Sequence, residues 1–535
     1  MSATTMRRLG AAALLLTSAM FLSRIIGYLR EAFVAARFGA NGSTDAFYAA
    51  FTIPDWLNYL VAGGTLSVTL LPIYARYLAA RDEHQANRVF SAVATLLLAL
   101  LAALVVAAEA WARPLCAWFF HRLDASALES CIRYTRILLP AQLFFVAGGL
   151  ASATLLARGR FVAIAIAPLI YNGGIIAGGV LLGARLGAEG LAWGALAGAL
   201  AGPLLIPAIG AWQAGARLHF AFSWRHPAVS EWVRLSLPLM VGVSLITADD
   251  WLIRYFAGGD PGAITRLSYA KRLVTVPIAI AGQAVGQASM PFFARLFAEG
   301  KRDELADTVH RTIRGVAVVS LLVAAWMIAV AHPLVDLLFR RGEFRTADVA
   351  PTALYLAVFT AAVPLWSVQG LASRAFYAAR NTLTPMVAGT VVTAASVPIY
   401  AILYNAGGPA GLALASGLGI LTHTVVLLVL LPRVLPEARL ATTRTLGLVS
   451  SGFLVSCLAG IAAYLARTVG LASFYVSGYV SGQSSSSHQA SLLACAVSSV
   501  AFLAVVLPLA RFLGVPAITA TLRRLGSRFG IASRR

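Results

Sequence analysis

Arginines and carboxylates standing inside apolar runs are the residues of this sequence with chemistry to explain. The first such run ends Ser23-Arg24-Ile25-Ile26-Gly27-Tyr28-Leu29-Arg30-Glu31. On a helix, Arg24, Gly27 and Glu31 share one face at i, i+3 and i+7, with Arg30 offset from them. Asp45 follows Ser43, where a capping residue and a first-turn acid belong, and Asp55 lies one residue after Pro54. A later run carries Asp249, Asp250 and Arg254, and the next carries Lys271 and Arg272. Arg254 stands four residues after Asp250, the spacing of a helical ion pair. Charges in hydrocarbon are costly and persist where they face a cavity or a partner. The chemistry open to Arg24, Arg30 and Arg272 is charge-assisted hydrogen bonding to an anion, a phosphate-bearing head group above all. Half of an ion pair is the plainer role for each of them, and a helix cap the plainer role for Asp45.

Catalysis is weakly supported. Intramembrane transferases hold magnesium between spaced carboxylates, whereas Asp249-Asp250 stands without a second acidic motif. No histidine cluster, Ser-His-Asp set or glycine-rich phosphate loop replaces it, and His423 reads as a packed or cavity-lining histidine. The expectation is a protein that is not an enzyme, with no metal and no cofactor.

The elements that must position these charges follow from composition. Of 535 residues, 59% are hydrophobic and 12% charged, with a mean hydropathy of +0.80. Soluble chains average about 25% charged, so a soluble enzyme, a disordered chain and a disulfide scaffold are all excluded. Lys271 and Lys301 are the only lysines, leaving 40 arginines behind the net charge of +21. Most of them punctuate apolar segments and form no long basic surface, which argues against nucleic acid as a partner. Four cysteines make no framework. Cys116 and Cys131 fall in one external connection, where they could meet or stand as unrelated thiols.

A hydrocarbon core takes about 20 apolar residues per helix, which predicts fourteen spans. They centre near 20, 60, 98, 145, 171, 200, 243, 283, 322, 364, 394, 421, 456 and 502. Arginine falls mainly on the side of Arg7, Arg8, Arg76, Arg158, Arg217, Arg295, Arg380 and Arg433, which places both termini in the cytoplasm. Gly478–Ser491 reads as a flexible polar loop.

Four stretches repeat. Thr52-Ile53-Pro54 and Leu71-Pro72-Ile73-Tyr74-Ala75-Arg76 match Thr275-Val276-Pro277 and Met290-Pro291-Phe292-Phe293-Ala294-Arg295. Ala157-Arg158 matches Ala379-Arg380, and Gly190-Leu191-Ala192 matches Gly411-Leu412-Ala413. The four offsets lie between 219 and 223 residues, which spans six helices and keeps both copies in one orientation. A parallel repeat of this kind is a transporter's plan, two bundles rocking for alternating access. The predicted architecture is an all-α polytopic membrane protein. Its parts are an N-terminal lobe (1–223), a C-terminal lobe (224–435), a helix pair (436–515) and a basic cytoplasmic tail (516–535).

These motifs resemble the MurJ/MviN family, the lipid II flippases of the MOP transporter superfamily. Ser23–Glu31 is similar to the family's helix-1 signature, which usually ends Arg-Asp, and Ser43-Thr44-Asp45-Ala46-Phe47-Tyr48 to its helix-2 opening. Asp336-Leu337-Leu338-Phe339-Arg340-Arg341-Gly342-Glu343-Phe344 resembles a third signature, and Ala375–Pro385 a fourth. The resemblance implies export of an undecaprenyl-diphosphate-linked muropeptide across a bacterial cytoplasmic (inner) membrane for peptidoglycan synthesis. Cell-wall synthesis proteins and membrane lipids are the implied partners. It also implies that Arg24, Arg30, Asp45 and Arg272 bind substrate. The last helix pair would receive the lipid tail, and Glu31, Asn58, Asp249, Asp250 and Arg254 remain for a gate or ion pairs. Asn58 and Gly63 stand where the family usually has an arginine and an acid, and Thr390–Tyr400 lacks the polar carboxamides some members use for a cation. An exporter of another polyprenyl-linked glycan or a drug, or a non-transporting scaffold, are the alternatives.

Overall fold

The computed structural model describes residues 22–62, 70–219, 227–241, 245–437, 442–481 and 487–509. The described residues are helical throughout, joined by short turns, as unpaired backbone groups in hydrocarbon require. Among the described residues, ten helices are long and apolar enough to cross a membrane. One of them, Leu383–Val434, bends at Gly408 (φ 56°, ψ −143°) and covers two of the expected centres, 394 and 421. The expected spans at 20, 60 and 243 include residues 1–21, 63–69 and 242–244, which lie outside the described residues. The chain divides into two compact units. One comprises Met1–Gly242, Arg254–Thr265 and Arg341–Phe344, the other Val243–Ile253, Arg266–Arg340 and Arg345–Arg535.

In the first unit, α1 (22–38) stops at Gly39 (φ +70°). α2 (Gly42–Ala50) starts on Asn41, whose side chain accepts the N–H groups of Ser43 and Thr44 while Thr44 Oγ1 accepts the Asn41 N–H. The cap is therefore Asn41, and the Asp45 carboxylate is released for another partner. There follow α3 (Thr52–Ala62), α4 (Leu71–Ala79), α5 (Glu83–Ala110), α6 (Ala112–Phe119), α7 (Ala125–Leu138) and α8 (Ala141–Ala157). Next come α9 (Val162–Leu181), α10 (Gly183–Leu186), α11 (Glu189–Ala199), a π-helical turn at Leu200–Leu205, α12 (Ile206–Gln213) and α13 (Pro227–Val241).

α9 and α11 pack closely because glycines face each other. A Cβ on Gly178 would lie 2.3 Å from the Gly190 carbonyl oxygen and 2.5 Å from Gly194 Cα. This is the small-residue packing by which membrane helices approach without a hydrophobic drive. Gly178→Ala forces backbone apart and should cost about 1–3 kcal/mol. Gly173→Ala, which meets nothing within 4 Å, is the control. Thermal unfolding of detergent-purified protein checks this, with the midpoint lowered for the first variant alone.

The second unit takes up the chain in α14 (Leu245–Phe256) and again in α15 (Ala263–Pro277), both helices running from one unit into the other. A π-helical turn at Ile278–Gln283 follows Pro277 and leads into α16 (Ala284–Ala298). Then come α17 (Arg302–Ala329), α18 (Ala331–Phe339), α19 (Thr346–Ala361), α20 (Val363–Ala378), α21 (Leu383–Val434), α22 (Thr442–Ser481) and α23 (Ser487–Leu509). Phe293, Ile313, Leu371, Phe376 and Leu427 form its core between α16, α17, α20 and α21. Val318, Leu322, Ala459, Ala463 and Phe502 seat α22 and α23 on α17. Of the flexible loop expected at Gly478–Ser491, residues 478–481 end α22 and 487–491 begin α23, while 482–486 lie outside the described residues. The Ser491 hydroxyl donates to Asp336 at 2.6 Å, which fixes the α23 end against α18.

Candidate functional site

In the first unit the α1 charges form one cluster. Arg30 pairs with Glu31, and its Nη1 donates to Asn172 Oδ1 at 3.0 Å. Asn172 is aimed by its own Nδ2, which donates to the Pro168 carbonyl at 2.9 Å. Glu31, 3% exposed, also accepts the Tyr48 hydroxyl. Arg30 is thus an oriented cation whose charge is already matched, and an anion reaching it competes with Glu31. Arg24 lies half-buried on the same helix.

Asp45 is 1% exposed and caps a helix remote in sequence. Its Oδ2 accepts the Gly262 N–H at 2.6 Å, and its Oδ1 accepts the Thr265 N–H at 2.8 Å and the Thr265 hydroxyl at 2.6 Å. A carboxylate at the start of α15 satisfies orphan amides and meets the positive end of the helix dipole. Gly262 has φ +81°, which lets the turn present its N–H there. The end of the third signature, Arg341–Phe344, belongs to the same unit. Glu343 N–H donates to the Ala36 carbonyl at 2.9 Å, and a Cβ on Gly342 (φ +56°) would lie 2.1 Å from that oxygen.

The expected Asp250–Arg254 pairing is redrawn. The carboxylate beside Arg254 is Asp55, at 3.5 Å, and Arg254 also donates to Thr52 Oγ1 at 3.3 Å. Asp250 instead takes Lys271, because the lysine reaches both it and Asp249. Asn58 donates to the buried Gln142 at 2.9 Å, a polar clasp between α3 and α8.

In the second unit, Asp249 is fully buried and accepts from Lys271, from the Tyr400 hydroxyl and from Ser416 Oγ at 2.9 Å. Tyr400 and Ser416 lie on either side of the Gly408 bend in α21, so one carboxylate ties both arms to α14 and α15. The Lys271 ammonium bridges the adjacent carboxylates and compensates one of their two charges. Arg272, next along α15, is half-buried. Asn172, Tyr48, Gln142, Thr265, Tyr400 and Ser416 were not expected at these sites. Each meets its charged or polar partner from another helix, a relation that local spacing does not encode.

The family model for "Lipid II flippase MurJ" matches residues 34–511. The chain belongs to that family. A "Probable lipid II flippase MurJ" of Rhizobium tropici is 26% identical over 455 residues, covering 83% of this chain and 85% of the relative. The "Lipid II flippase MurJ" of Burkholderia cenocepacia is 27% identical over 425 residues, covering 76% of this chain and 80% of its own. Among solved structures, a lipid II flippase MurJ in an inward closed conformation matches with a TM-score of 0.74 at 18% identity. That match covers 94% of this chain and 99% of the other. An inward-facing MATE-family multidrug resistance transporter of the MOP superfamily matches with a TM-score of 0.64 at 19% identity, covering 80% and 98%. The MurJ fold is a multi-pass helical membrane fold, as the composition predicts.

Proposed function

We propose that the protein moves lipid II, an undecaprenyl-diphosphate-linked disaccharide pentapeptide, from the inner to the outer leaflet of a bacterial cytoplasmic membrane by alternating access. Family membership over residues 34–511 is the observation that carries this reading. It is a transporter's activity and makes or breaks no covalent bond. Arg24 and Arg30 on α1 and Arg272 on α15 supply cations to the diphosphate, and Asp45 holds the start of α15. Residues 1–223 and 224–435 act as the two lobes, and the pair within 436–515 takes the lipid tail along the apolar surface exposed at Leu454, Leu458 and Ile461. Both termini face the cytoplasm.

Depletion of a host's own flippase with this gene as the sole replacement tests the proposal. The expected outcome is growth, with no lipid II retained on the inner leaflet. Growth failure with a different polyprenyl-linked glycan exported would overturn it.

The sign of the energetics gives a further expectation. The diphosphate is anionic and the cell interior negative, so each charge moved outward gains about 2.3 kcal/mol per 100 mV. Collapsing the potential at fixed ion gradients should slow export, and an unchanged rate would contradict this.

A further inference from the structure

Two of the four cysteines converge in the first unit, where nothing proposed above uses them. Cys116 on α6 and Cys131 on α7 are both fully buried free thiols that meet at one threonine hydroxyl. Cys116 donates to Thr135 Oγ1 at 3.6 Å, and Cys131 lies 4.0 Å from the same oxygen. The Thr135 hydroxyl in turn donates to the carbonyl of Ala50 at 3.4 Å, the last residue of α2. α2 is the helix that carries Asp45 and Tyr48. The sulfur pair therefore sits directly behind the element that caps α15 and orients Glu31.

We propose that Cys116 and Cys131 form a disulfide in the mature protein, closing the α6–α7 hairpin behind α2. The proposal rests on the orientation given above, which turns the connection after the third expected span to the outer, oxidising side. The oxidant is an external disulfide of the thiol-oxidase class. One cysteine thiolate attacks a sulfur of that disulfide and expels the oxidant's other sulfur as a thiolate. The second cysteine then attacks the mixed disulfide, forming the Cys116–Cys131 bond and releasing the oxidant as a dithiol. Two protons and two electrons leave the chain, and the oxidant takes up both. Because both sulfurs end fully buried, exchange happens while the hairpin is assembling, before α7 closes on α2. Once packed, the bond is shielded from reductants in solution.

Thiol counting on the full-length protein tests this. Membranes from acid-quenched cells are denatured, labelled with a maleimide-polyethylene glycol, and resolved by gel shift with and without prior reduction. The expected result is two labels without reductant, on Cys457 and Cys495, and four after reduction. Cys116→Ser and Cys131→Ser should each give three labels without reductant, and mass spectrometry of the wild-type digest should find the 116–131 linked peptide. Four labels on the unreduced wild type overturns the proposal. Copper-phenanthroline treatment of intact membranes then identifies the cause. A bond formed on treatment means the pair is sound and the orientation wrong, and no bond means the pairing itself is wrong. Two protected thiols that stay protected in Cys116→Ser also overturn it, by assigning the bond to Cys457 and Cys495.

Discussion

Export is expected to be lost in the Arg30→Ala/Arg272→Ala double variant, with either single change weakening substrate binding about ten- to a hundredfold. Each arginine making charge-assisted bonds to a diphosphate in a dry cavity contributes roughly 1.5–3 kcal/mol. Arg30 carries a complication, because its removal takes a cationic partner from the buried Glu31. Losing one partner of a buried pair destabilises by about 3–5 kcal/mol, so a dead Arg30→Ala protein is informative only if its membrane abundance is normal. Arg30→Ala/Glu31→Gln separates the two roles. If Arg30 only balances Glu31, neutralising both restores export; if Arg30 holds the diphosphate, the protein is abundant and inactive. Arg217, exposed and bonded to the Trp212 carbonyl at 2.6 Å, should tolerate alanine. Complementation with immunoblots of each variant reads all of these outcomes.

Lys271→Ala is expected to be the most destabilising single change in the second unit. It leaves the fully buried Asp249 with only the Tyr400 and Ser416 hydroxyls among its bonds described above, at a cost of about 3–5 kcal/mol. Adding Asp249→Asn removes the stranded charge and should recover part of that loss, a positive coupling in a double-mutant cycle. Asp250→Asn should be mild, because its carboxylate is 49% exposed. Thermal unfolding of the purified variants measures the cycle, and additive losses would show that the ammonium does not serve Asp249.

The two kinds of information in the sequence had different reach. Hydropathy runs were legible because a membrane span is a local property. The placement of charges was half legible. Arg24, Arg30, Asp249 and Asp250 stand out by being ionisable in apolar runs, yet Asn172, which bonds Arg30, and Tyr400 and Ser416, which bond Asp249, come from helices far along the chain. Asp45 illustrates the limit. Its position behind Ser43 marked a first-turn acid, and such an acid normally serves its own helix. Asn41 had taken that role, and the carboxylate reached Thr265 instead, 220 residues on. Arg254 illustrates the same limit, since an i, i+4 neighbour is available in every helix and a lysine on α15 outcompetes it for Asp250. The break at Gly408 falls between the expected centres at 394 and 421, because one hydrocarbon core cannot hold a helix of that length.

The most direct measurement follows lipid II itself across the membrane. In cells whose sole flippase is this protein, a membrane-impermeant enzyme that cleaves lipid II is added outside, and the cleaved fraction is quantified from radiolabelled precursor. Wild-type protein should render most newly made lipid II cleavable, and the Arg30→Ala/Arg272→Ala protein at equal abundance should leave it protected. Equal cleavage with the two proteins would show that these arginines do not carry the substrate. Protection in the wild type would show that lipid II is not what the protein moves.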